Sequence, residues 1–141
     1  MKHVVLAGLL ICALGIATIP TFAQEGSNST VLGSVTLTRK VLADGQPLAA
    51  GTYQVRLSSD QVKPAVGESP ESERYVEFVR AGKVAGREVA TVIPSNDMST
   101  MKYGRPPVNS SKVEMLKGGD YLRVWINHGS NNYLIHLPSA A

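Results

Sequence analysis

From Val31 onward, apolar side chains recur at every second position. Val35 and Leu37 alternate with Ser34, Thr36 and Thr38; Tyr53, Val55 and Leu57 alternate with Thr52, Gln54, Arg56 and Ser58. A period of two sends successive side chains to opposite faces of an extended chain, so each run reads as a half-buried strand of antiparallel sheet. Beyond the N-terminal segment, no window of a dozen residues carries an apolar i, i+3, i+4, i+7 stripe with helix caps. The chain reads as all-β.

Five further runs share the pattern. Tyr75 to Arg80 sets Val76 and Phe78 against Tyr75, Glu77 and Val79. Val84 to Ile93 follows the Ala81-Gly82-Lys83 turn, with Gly86 as a candidate bulge. Val113 and Met115 mark a short strand, stopped by Lys117-Gly118-Gly119-Asp120. Tyr121 to Asn127 and Tyr133 to Leu137 complete the set. Seven short strands separated by Gly, Asp, Pro and Asn predict an antiparallel β-sandwich, with a small β-barrel as the alternative. Between the first two strands, Asp44-Gly45 followed by Pro47 is a turn with a mechanism: Gly45 accepts a positive φ and Pro47 fixes its own. Leu48 is expected to tuck onto the core edge, and Gly51 to open the next strand.

The last hairpin can be registered from sequence. Leu122, Val124 and Ile126 form one apolar face, and Tyr133, Ile135 and Leu137 the other. Matching them sets Leu122 opposite Leu137, Val124 opposite Ile135 and Asn127 opposite Asn132, with His128-Gly129-Ser130-Asn131 as the loop. Arg123, Trp125, Leu134 and His136 then share the opposite face.

The N-terminal segment has a different character. Met1-Lys2-His3 is a short basic start, Val4 to Ile16 an apolar run, and Pro20 ends it before the small residues around Ala23. This is the pattern of a signal peptide cleaved after Ala23, and residues 24–30 read as a flexible lead-in to one domain over 31–141. The run is shorter than the about 20 apolar residues of a spanning helix, so no membrane span is expected in the mature chain. Export to the periplasm or beyond a bacterial cell follows. Cys12 is the only cysteine, so the mature domain has no disulfide or thiol chemistry and depends on its core.

Two connections exceed a simple turn. Residues 59–74 carry Glu68, Glu71 and Glu73 around Pro70 and read as a solvated flap. Residues 94–110 carry Met98, Met101, Tyr103 and Val108, able to pack across a sheet edge or a barrel end.

The stretch Asp44-Gly45-Gln46-Pro47-Leu48-Ala49-Ala50-Gly51-Thr52-Tyr53-Gln54-Val55 resembles the G-x-P-L-x-x-G-x-Y-x-V pattern of small exported bacterial β-sandwich proteins, most without assigned function. Gly82-Lys83-Val84 leading to Val89-Ala90-Thr91-Val92 is similar to a strand that follows in them. A weaker similarity links the same turn to prealbumin-like and carboxypeptidase-regulatory-like modules. The resemblance implies a β-sandwich and no catalytic residue. The C-terminal Leu137-Pro138-Ser139-Ala140-Ala141 does not match the tetrapeptide of prealbumin-like hydrolases.

Composition excludes several activities. The formal charge of +3 falls by one with Lys2, and basic residues are dispersed, which argues against nucleic-acid binding. His128 and His136, even with Asp97 or Asp120, lack metal-site spacing, and no cofactor is implied. No G-x-S-x-G elbow is present, and Ser130 cannot form a triad with His128 in a tight turn. Asn28-Ser29-Thr30 and Asn109-Ser110-Ser111 match the glycosylation acceptor but carry no weight in a bacterial chain. The candidate binding patch is Arg123, Trp125, Leu134 and His136, since Trp and Arg dominate binding hot spots. If exposed, it suits a glycan or protein partner; if the 94–110 loop covers it, Trp125 is a satellite core.

The resulting expectation is a non-catalytic binding or envelope-accessory module. Two alternatives stand beside it: a small hydrolase or isomerase using a histidine under the 94–110 loop, and an oligomeric structural subunit. A concave pocket with converging polar groups would mark the enzyme, and an uncovered apolar sheet face the subunit.

Overall fold

The computed structural model describes residues 29–100 and 104–140; the expected signal peptide and the start of the lead-in lie outside them. Nine strands follow one another: β1 (Val31–Leu37), β2 (Val41–Ala43), β3 (Gln46–Leu48), β4 (Gly51–Leu57), β5 (Glu73–Arg80), β6 (Lys83–Pro94), β7 (Ser110–Met115), β8 (Tyr121–His128) and β9 (Asn131–Pro138). A 3-10 helix, Ser95–Thr100, sits between β6 and β7. No helix among the described residues is long and apolar enough to cross a membrane.

Seven strands form one sheet in the order β1-β4-β5-β6-β9-β8-β7, and every pairing is antiparallel. The all-β antiparallel expectation holds. In place of two separate layers, this single sheet coils until its edges β1 and β7 approach, where the Ser111 hydroxyl donates to the Ser34 carbonyl at 2.8 Å. The small barrel is therefore the better description. Its interior is filled by alternate side chains: Val35 and Leu37, Tyr53 and Val55, Val76 and Phe78, Ala90, then Leu122, Val124 and Ile126 facing Tyr133, Ile135 and Leu137. Solid packing, with no covalent cross-link among the described residues, holds the fold together.

The segment between β1 and β4 is more than a turn. Asp44 and Gly45 take φ of 48° and 75°, and this pair of left-handed residues closes a two-stranded hairpin of β2 and β3. The hairpin buries Val41, Ala43 and Leu48 and plugs one end of the barrel. Val41 bridges to Ser139, and the Ala140 N–H donates to the Lys40 carbonyl at 3.2 Å, so the C-terminal tail fixes it there. The expected bulge is present: Phe78 faces Gly86 while Val79 faces Val84, leaving Ala85 as the extra residue. A Cβ on Gly86 would lie 3.2 Å from that of Ala43 and 3.3 Å from Leu48 Cδ1, so the bare glycine makes room for the plug.

A second two-residue turn, Ala81-Gly82, joins β5 to β6 with φ of 50° and 74°. Alanine pays a steric cost in this left-handed region that asparagine tolerates better. Ala81→Asn is therefore expected to raise stability by about 0.5–1 kcal/mol, read as a higher urea midpoint at unchanged slope.

Candidate functional site

The β8–β9 register sets Leu122 opposite Leu137, Val124 opposite Ile135 and Asn127 opposite Asn132, as the matched apolar faces require. Pairing runs one step further, to His128 and Asn131, so the loop is Gly129-Ser130 rather than the four residues expected. Gly129 at φ 60° opens this tight turn. Arg123 is paired with His136 and Trp125 with Leu134, which brings the four candidate residues onto one outer face.

Their environments differ. Trp125 is 1% exposed and packs with Met98, Leu134 and Ile93, so the exposed indole platform is not formed. The 3-10 helix delivers Met98 over the indole, whose Nε1–H donates to Asn132 Oδ1 at 3.0 Å. Asn132 Nδ2 in turn reaches Ser95 Oγ at 3.4 Å, and Asn127 Nδ2 donates to the Pro106 carbonyl at 2.9 Å. Two buried asparagines thus tie the 94–110 segment to the sheet. Val108, expected to pack, is 58% exposed, and Met101 and Tyr103 lie outside the described residues.

Arg123 is half-buried and committed elsewhere. Its Nε donates to Glu114 Oε1 at 2.8 Å, its second nitrogen joins the same oxygen, and its guanidinium lies 5.5 Å from the Trp125 ring. Lys112 Nζ holds the other Glu114 oxygen at 2.9 Å. The Arg123 hydrogen bond, seconded by Lys112, keeps the Glu114 carboxyl below the usual carboxylate range. His136 is solvent-exposed on one side. Partial desolvation, then the Arg123 charge, lowers its pKa from 6.5.

Both shifts act in the same direction. A lowered His pKa means that the unfolded chain binds more protons between the folded value and 6.5. His136 contributes its full stability above 6.5 and loses it as pH falls through that window. Glu114 contributes above 4.5 and loses its share below, as pH falls through its folded pKa. Stability should therefore decline on acidification in two stages. His136→Gln is expected to flatten the stage nearer neutrality, measured as the urea midpoint between pH 7.5 and 5.

A concavity lies elsewhere, at the barrel end that β2 and β3 leave open. A cavity of about 490 Å³ is bounded by the start of β5, the end of β6 and the start of β9, with the 58–72 flap as its outer wall. Arg74, Val92 and Tyr133 sit in phase with the inward-facing residues of their strands, joined by Pro94 and Asn131 at the strand ends. The flap adds Gln61, Val62, Pro70 and Glu71, and Glu73 completes the rim. The Val92 N–H donates to the Ser72 carbonyl at 2.8 Å and anchors the flap to the sheet. Tyr133 is 6% exposed, and its hydroxyl makes no hydrogen bond among the described residues. Neither His128 nor His136 lines this cavity.

Sequence reasoning missed the mouth because its residues come from four separated segments. Strand phase carried the available signal: Arg74 is in step with Val76 and Phe78, so a guanidinium had to emerge at the barrel end. Comparison with protein-family profiles, with curated proteins and with solved structures returned no match to this chain.

Proposed function

We propose that this chain is an exported, non-catalytic binding module that takes its ligand at the open mouth of the barrel. The mouth cavity carries the reading. Its volume falls within the roughly 300–1,000 Å³ of small-molecule sites, and its lining is more polar than apolar, with Gln61, Glu71, Glu73, Arg74 and Asn131 set around Val62, Val92 and Pro94. One wall is built on paired strands, a rigid base for recognition, and the other is a loop able to adjust. Export rests on the N-terminal pattern of basic start, apolar run and small residues at Ala23.

Protein purified from the producing cell should have an intact mass that begins at Gln24. Amide chemical-shift mapping against pools of amino acids, short peptides and small saccharides should move resonances of Arg74, Val92 and Asn131. Pro94→Trp, which fills the cavity from its rim, should abolish those shifts while the fold persists. Shifts confined to the Arg123–His136 face would refute the mouth as the site.

A further inference from the structure

We propose that the mouth cavity recognises a zwitterionic ligand of amino-acid or dipeptide size bearing an apolar side chain. The proposal rests on the mouth being the binding site and names the chemistry it selects. The argument begins with the strand arginines. Arg56 is paired with Glu77, Arg87 with Asp60, and Arg123 with Glu114, while Arg80 lies over the Tyr53 ring. Arg74, the one cation lining the cavity, has no ion-pair, hydrogen-bond or ring partner among the described residues. Glu71 and Glu73 line the same cavity, and neither forms an ion pair among the described residues.

Charges of both signs therefore surround one space without neutralising each other. Glu71 and Arg74 are exposed and Glu73 half-buried, so a ligand that enters strips part of the water from each, and each charge is then best met by a counter-charge or strong hydrogen bonds. A neutral saccharide supplies no counter-charge. A simple anion satisfies Arg74 but meets two carboxylates. A ligand with a carboxylate and an ammonium satisfies both sets: the guanidinium fork matches a carboxylate in bidentate fashion, and the glutamates take the ammonium. The Tyr133 hydroxyl is a spare donor beside them, and Val62, Val92 and Pro94 offer an apolar wall for a side chain.

The test uses the full exported chain and leucyl-leucine as probe, with calorimetry for affinity and amide shifts for location. N-acetyl-leucyl-leucine removes the ammonium, leucyl-leucine amide removes the carboxylate, and diacetylchitobiose is a neutral disaccharide. Leucyl-leucine is expected to bind with shifts at Arg74, Val92 and Asn131, and each blocked analogue at least tenfold more weakly. Arg74→Gln, at an exposed position, should keep the wild-type urea midpoint, weaken leucyl-leucine at least tenfold, and no longer distinguish acid from amide. Equal binding of the blocked analogues, or no binding of leucyl-leucine, would overturn the ligand class. If diacetylchitobiose alone moves the mouth amides, the class fails while the mouth stands as the binding site. If probes move only the Arg123–His136 face, both fall.

Discussion

Trp125→Ala is expected to destabilise the domain by about 3–5 kcal/mol, the usual cost of truncating a fully buried indole. The loss has two parts. Removing the ring leaves a hole between Leu134 and Ile93 on the strands and Met98 on the 3-10 helix. It also leaves Asn132 Oδ1 buried without its 3.0 Å donor. Trp125→Phe separates the two, since it retains much of the packing and loses the hydrogen bond, for about 1–3 kcal/mol. This is the only tryptophan, so unfolding of the variants is followed by far-UV circular dichroism. A variant that keeps its wild-type midpoint would show that the indole is not covered. The 94–110 segment should also loosen, because Met98 loses the ring it packs against and Asn132, which reaches Ser95, loses the indole that holds it in place. Increased proteolysis there is the second readout.

Phe78→Ala is expected to be comparably severe, again about 3–5 kcal/mol. Phe78 is fully buried, and its ring meets Tyr53 edge-to-face with centroids 6.1 Å apart. Directly across β6 stands Gly86, which has no side chain to move into the space, so the void persists. Phe78→Leu keeps more volume and should cost less than half as much. Tyr53→Phe is the complementary probe. It keeps the aromatic pair and removes only the 2.7 Å hydrogen bond to the Ala49 carbonyl, for about 0.5–1.5 kcal/mol. Equal midpoints for Phe78→Ala and Phe78→Leu would mean that the site collapses freely, against the packing described.

These two sites also show which parts of the fold the residues announce. Strand phase is local information, and two apolar triplets on β8 and β9 fit only one register, so the pairing of Val124 with Ile135 could be read directly. The β2–β3 plug escaped because three residues a side are too few for alternation to register, although its Asp44-Gly45 turn was visible. Likewise, sequence placed Trp125 on the outer face but could not say what lay above it. The cover depends on the path of a loop, and that path is set by Asn127 and Asn132, polar residues that a hydrophobic pattern treats as surface. The mouth cavity was hidden for a related reason: it is an end of the barrel, and periodicity describes faces.

The uneven join between β1 and β7 has a further consequence. Every other neighbouring pair in the main sheet shares a ladder of backbone hydrogen bonds, whereas these two edges meet through side chains, with the Ser111 hydroxyl on the Ser34 carbonyl as their hydrogen bond. Opening along that line sacrifices little backbone pairing, so unrolling is expected to begin at this seam while β5, β6 and β9 stay paired. Deuterium uptake should accordingly start at the free backbone edges of β1 and β7, long before the central strands yield. The mouth cavity, framed by those central strands, would keep its shape through such excursions.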